Sequence, residues 1–207
     1  MFLNIFILNL LTTTLVTMMS PEDAITTLME GNQRYMMNQS NTLNRSEERR
    51  LNLRKEQMPF AVIVSCADSR VAPEIIFDQG LGEIFVVRVA GNVVGDLELE
   101  SINYALKNLG SSLVMILGHQ NCGAVGAVLE NNTADIKNIA KIIEPAVANN
   151  RGELKNAVKA NAENVAKKLA KNPIVAPYVK TKQIKVVSGY YDFNTGQVQL
   201  LNNADGS

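Results

Sequence analysis

Pro59-Phe60-Ala61-Val62-Ile63-Val64-Ser65-Cys66-Ala67-Asp68-Ser69-Arg70 is the stretch on which the reading of the fold turns. Ala61 to Val64 is an unbroken apolar run, rich in β-branched residues and opened by a proline. Such a run reads as a strand covered on both faces, as in a parallel sheet. Ligands of open α/β sheets sit beyond the carboxyl ends of the strands, and Cys66, Asp68 and Arg70 fall there. About fifty residues on, Leu113-Val114-Met115-Ile116-Leu117 is a second continuous apolar run, ending in Gly118-His119-Gln120-Asn121-Cys122-Gly123. His119 is the only histidine, and Cys66 and Cys122 are the only cysteines. All three are expected just after strand ends. If the two strands lie near each other in one sheet, their loops share a rim. Two thiols and one imidazole then make a zinc set with one coordination position left for water or a side chain. The plainer reading of the two cysteines is a disulfide or a pair of inert buried thiols.

A chain of 207 residues is long enough for one domain with a sizeable core. With 46% hydrophobic and 19% charged residues and a formal net charge of zero, nothing suggests a polyanion partner, so nucleic acid is not expected. The chain divides into an apolar segment over 1–19, a single domain over 20–202 and a polar tail over 203–207. Residues 1–19 carry no charged side chain. Phe2, Leu3, Ile5, Phe6, Ile7, Leu8, Leu10 and Leu11 form a block like the core of a secretory signal. No Lys or Arg precedes it, however, and no small-x-small cleavage site follows. Asn4 and Asn9 also make it a poor membrane span. The segment stays open between a leader or anchor, an arm packing on a partner subunit and an over-long start. The compartment stays open with it, cytoplasmic or exported, and membrane contact is expected only through residues 1–19.

Ser20-Pro21-Glu22-Asp23 is a helix start, with Ser as N-cap, Pro in the first turn and acids beside it. Ala24, Ile25, Leu28, Met29, Tyr35 and Met36 then recur at helical spacing and read as a core face. The mixed charges of residues 44–56 read as a solvated helix. A short helix is expected over Val71–Asp78, a turn at Gln79–Gly82 and a second buried strand over Ile84–Val89, interrupted by Arg88. A helix over Asp96–Leu109, capped by Gly110, leads to the strand at Leu113. Cys122–Leu129 opens another helix, in which Gly123 and Gly126 are expected to permit close backbone packing. Residues 133–170 hold one or two helices divided near Pro145 and Arg151-Gly152. Ile184–Val187 and Val198–Leu201 form a hairpin around Asn194-Thr195-Gly196. The class is α/β, with a mainly parallel sheet of four or five strands flanked by helices.

Cys66-Ala67-Asp68-Ser69-Arg70, followed by His119-Gln120-Asn121-Cys122-Gly123, resembles the β-class carbonic anhydrases. The resemblance runs from about Ser20 to Leu201. It includes Phe85-Val86-Val87-Arg88-Val89-Ala90-Gly91-Asn92, which matches the family's second strand, and Gly118-His119 with Cys122-Gly123-Ala124, which matches its zinc loop. The resemblance implies an α/β fold, a homodimer that often builds larger homo-oligomers, one zinc ion per chain and reversible hydration of carbon dioxide to bicarbonate. It also implies zinc ligation by Cys66, His119 and Cys122. Asp68 matches an aspartate with two roles, either pairing with the neighbouring arginine, here Arg70, or ligating zinc itself and shutting the site. Gln57, nine residues before Cys66, matches a substrate-pocket glutamine, and Phe85 and Tyr104 match its aromatic companions. The chain has no tryptophan, the residue that marks the switching subgroup, so the resemblance implies the open form.

On the residues alone, Gln57 reads as a surface turn residue and Phe85 and Tyr104 as core aromatics, whereas Arg70 reads as the group that holds Asp68 off the metal, with a plain structural ion pair as the alternative. Hydration of carbon dioxide needs hydroxide, and zinc supplies it by lowering the pKa of bound water from about 15.7 towards 7. Three other classes use the same residues. They are a bicarbonate-binding protein without turnover, a hydrolase of carbon disulfide or carbonyl sulfide, and a structural zinc site closed by Asp68.

Overall fold

The apolar run after Pro59 forms β1 (Ala61–Ser65), buried along its whole length. It is buried because it lies inside a sheet. β2 (Ile84–Arg88) pairs with one edge of β1 and β3 (Leu113–His119) with the other, both parallel. β4 (Lys185–Tyr191) continues the parallel array beside β3, and β5 (Val198–Asn203) turns back antiparallel on β4. The order is β2-β1-β3-β4-β5. The fold is the expected mainly parallel α/β sheet. The structure is a computed structural model that describes residues 18–41, 43–148, 150 and 152–203. The segment 1–19 lies outside the described residues apart from Met18 and Met19, and the tail apart from Asn203. No described helix is long and apolar enough to cross a membrane.

Strand alternation sorts the core into two layers. Val62, Val64, Val114, Ile116 and Val186 face one side, against Ile102, Ala105 and Leu106 and against Ala162, Val165, Ala166 and Leu169. The first three come from α4 (Asp96–Tyr104) and the turn after it, the other four from α7 (Leu154–Ala170). Ala61, Ile63, Leu113, Met115 and Leu117 face the other side, against Ala24 and Leu28 of α1 (Pro21–Met36) and Ile76 of α3 (Pro73–Ile76). The start of α1 is as expected, since the Ser20 hydroxyl accepts the Asp23 N–H.

Several details differ from the sequence-based expectation. β2 is not buried; as an edge strand its first three residues are half-buried and Arg88 is exposed. The charged stretch holds only a short helix, α2 (Glu47–Asn52), after a 3₁₀ turn. α4 gives way at Ala105 to a π turn through Leu109, which Gly110 ends at φ +77°. Pro145 does not divide the chain. It lies inside α6 (Lys137–Ala148), where its missing N–H leaves the Lys141 carbonyl without a helical donor, and the break before α7 falls after Ala148, on the Arg151-Gly152 side of the expected division. A Cβ at Gly123 would meet nothing within 4 Å and one at Gly126 only Leu154 Cδ1 at 4.0 Å, so α5 (Gly123–Leu129) needs neither glycine for close packing. A further short helix, α8 (Ala176–Lys180), precedes β4.

Candidate metal centre

β1 and β3 are direct neighbours in register, with Ser65 opposite Leu117, so their carboxyl ends open onto one rim. Cys66 is the first residue past β1. His119 is the last residue of β3 itself, not a residue beyond it, and Cys122 caps the start of α5. The two sulfurs and one imidazole nitrogen lie within 4.8 Å of one another, and all three residues are buried. Both cysteines are free thiols.

The His119 ring is oriented by its own backbone neighbour. Its Nδ1 lies 2.9 Å from the Gln120 carbonyl oxygen, which can only accept, so Nδ1 carries the proton. That leaves Nε2 with the free lone pair, and Nε2 is buried without a hydrogen-bond partner among the described residues. A buried polar atom without a partner is costly, and a cation is the usual remedy for a bare imidazole nitrogen facing thiols. Tetrahedral zinc with bonds of about 2.0–2.3 Å needs ligand atoms about 3.5–3.8 Å apart, within the spread observed. The donor set fits zinc.

The two thiols shift each other's acidity. The hydrogen bond between them pulls Cys66 down from the ordinary thiol range and pushes Cys122 up, with burial adding to the rise at Cys122. The Gly91 N–H donates to the Cys66 sulfur at 3.3 Å. Gly91 adopts φ +72°, and a Cβ there would lie 2.7 Å from Ile143 Cδ1. Its carbonyl in turn accepts from Asn161 Nδ2 at 2.8 Å.

Asp68 and Arg70 complete the rim. Arg70 Nε and Nη2 donate to the two Asp68 oxygens at 2.9 and 2.7 Å, a bidentate pair, and the Arg70 N–H adds a third bond at 3.0 Å. The guanidinium holds the Asp68 carboxyl well below the usual carboxylate range. Arg88 staples the loop from below, donating to the Cys66 carbonyl at 3.2 Å and the Asp68 carbonyl at 2.7 Å.

Of the residues expected at the site, Cys66, His119, Cys122, Asp68 and Arg70 come together in one chain. Gln57, Phe85 and Tyr104 do not join them. Phe85 pairs in register with Val62, about 13 Å short of Cys66 along the strand direction at about 3.3 Å per residue. Gln57 precedes β1, at the opposite end from the rim, and is exposed. Tyr104 ends α4 and is 50% exposed. Sequence reasoning missed Asn161 and the roles of Gly91 and Arg88. The signals were present: a charge breaking an apolar strand, and an asparagine on the apolar stripe of α7 with Ala157, Val158 and Val165.

The carbonic anhydrase family model matches residues 61–198. Carbonic anhydrase 2 of Mycobacterium tuberculosis is 35% identical over 195 residues, spanning 89% of this chain and 94% of the relative. The carbonic anhydrase of Mycolicibacterium smegmatis is 34% identical over 195 residues, spanning 89% and 95%. Among solved structures, a Coccomyxa β-carbonic anhydrase in complex with acetazolamide superposes with TM-score 0.68 at 28% identity, covering 75% of this chain and 78% of that one. Tetrameric β-carbonic anhydrases of Sordaria macrospora share the fold, with TM-score 0.69 at 19% identity over 87% and 98% of the two chains. By sequence, by fold and by the thiol–imidazole–thiol rim with its aspartate–arginine pair, the chain belongs to the β-carbonic anhydrase family.

Proposed function

We propose that the chain catalyses reversible hydration of carbon dioxide to bicarbonate and a proton, using one zinc ion held by Cys66, His119 and Cys122. As a family member it is a carbonic anhydrase, a lyase. The observation that carries the zinc reading is the buried His119 Nε2, without a hydrogen-bond partner among the described residues, on a ring clustered with two thiols, with a bidentate Asp68–Arg70 pair beside them. Zinc in this set supplies the Lewis acidity that makes hydroxide available near neutral pH.

The chain's own residues do the rest. Asp68, kept ionised by Arg70, accepts a hydrogen bond from the attacking water and turns its lone pair towards the substrate carbon. Arg70 keeps the carboxylate on the rim, which favours the open site over a structural centre closed by Asp68. Two thiolates cancel the formal charge of the ion, so acidification is weaker than with three imidazoles and the rate rises into alkaline pH. His119 has Nδ1 on the Gln120 carbonyl, and Nε2 is the nitrogen that would hold the metal. No other imidazole exists in the chain, so the product proton leaves through external buffer.

Gln57, Phe85 and Tyr104 remain the proposed substrate contacts. None of the three lies at the rim of its own chain, so in this reading each copy of a homodimer lends them to the other's centre. Metal removal tests the whole reading. Dialysis against a zinc chelator should abolish carbon dioxide hydration, and one equivalent of Zn²⁺ per chain should restore it. Full activity in the metal-free protein contradicts the proposal.

A further inference from the structure

We infer that Phe193, on the turn between β4 and β5, is a positioning residue: its ring holds the Arg70 guanidinium against Asp68 and braces the His119 imidazole. The inference rests on the metal reading above and adds a residue that neither strand end contains. Arg70 Cζ lies 4.5 Å from the centroid of the Phe193 ring. A guanidinium over an aromatic face is held by the ring quadrupole, which an aliphatic side chain of similar size lacks. Apart from the ring, the Arg70 side chain has only the Asp68 oxygens as partners among the described residues, and it is 53% exposed. The same ring meets His119 edge-on, with centroids 5.7 Å apart and planes at 60°. One half-buried phenylalanine therefore touches a side chain from each half of the site.

The ring is itself fixed. The Phe193 N–H donates to Gln120 Oε1 at 2.9 Å, and the Gln120 N–H donates to the Tyr191 carbonyl at 2.9 Å. The Gln120 carbonyl is the acceptor that orients His119. Gln120 thus ties the imidazole and the hairpin into one unit. Tyr191 packs edge-on against Phe193 at 5.3 Å, and its hydroxyl lies 3.0 Å from that of Tyr35 on α1. Without the ring, Arg70 is free to swing into solvent, and Asp68 is then free to turn from the guanidinium towards the metal ligands.

The test compares wild type, Phe193→Leu and Phe193→Tyr, each loaded with Co²⁺ for its visible absorption spectrum and with Zn²⁺ for steady-state hydration kinetics. The Leu variant should show a changed cobalt spectrum as Asp68 enters the coordination sphere. It should lose about twofold to fivefold in kcat, the size of a cation–π contact at a half-exposed site, with a smaller change in KM. The Tyr variant, which keeps the ring, should retain both the spectrum and the rate. A Leu variant with the wild-type cobalt spectrum and kcat overturns this inference alone, and so does one whose only change is a lower Tm. A wild-type protein that takes up no cobalt overturns the metal reading and this inference with it.

Discussion

Asp68 stands two residues from a thiol ligand, close enough to serve the metal or to block it, and Arg70 decides between those outcomes. The two parallel bonds at 2.9 and 2.7 Å need a planar fork, which lysine does not offer. Arg70→Ala and Arg70→Lys should both lower kcat/KM, by about a hundredfold for a misplaced carboxylate, as measured by stopped-flow hydration. The pair also leaves a signature in stability. Arg70 depresses the folded-state pKa of Asp68, so the pair's contribution is complete above the unfolded value of about 3.9 and is lost as pH falls through the folded value. The difference in urea midpoint between wild type and Arg70→Ala should be constant from about pH 5 to 8 and shrink below about pH 4. A difference that grows towards acid would reverse the assignment. Histidine sets a second expectation. If the proposed metal takes His119 Nε2 while the Gln120 carbonyl takes Nδ1, hydration at fixed pH should climb with buffer concentration and then saturate, whereas a rate indifferent to buffer would require a proton carrier within the protein.

At the level of elements, the centre depends on a peptide that belongs to none of the ligands. Asn161 on α7 donates to the Gly91 carbonyl, and the Gly91 N–H donates to Cys66. Asn161→Ala should leave a buried carbonyl without a donor and cost about 1–3 kcal/mol of unfolding free energy. It should also speed loss of zinc to a chelator; unchanged unfolding and unchanged zinc release would remove Asn161 from the site's support. These contacts also mark where the sequence stops being legible. The apolar runs before Cys66 and His119 foretold two buried neighbouring strands, because a strand covered on both faces leaves a continuous apolar record. The candidate ligand cluster followed from those strand ends. Asn161 and Phe193 lie about seventy residues or more from the groups they position, in contacts with no local pattern. Pro145 misled because the buried face of α6, with Ala140, Ile143, Ala146 and Val147, carries the helix past one lost hydrogen bond. β2 misled because Ile84 to Val87 is as apolar as an interior strand while lying at an edge.

For the whole molecule, a complete rim in one chain coexists with proposed substrate contacts far from it. If Gln57 and Tyr104 act across a two-fold interface, two inactive variants should complement each other. Cys122→Ser lacks the metal, and Gln57→Ala combined with Tyr104→Ala lacks the pocket. Refolded together, they place one intact pocket over one intact centre in each mixed dimer. Equal mixing should restore about a quarter of wild-type activity, as random isologous pairing dictates. No recovery from properly mixed dimers would return those residues to ordinary surface and core roles.

The first measurement to make is stopped-flow carbon dioxide hydration at pH 8.5 on protein of measured zinc content, beside Cys122→Ser. Turnover proportional to zinc, with one zinc per chain at full activity and none above background in the variant, is the predicted result. One zinc per chain with no turnover, or an undiminished rate in Cys122→Ser, would contradict the assignment of Cys66, His119 and Cys122 as the working metal centre.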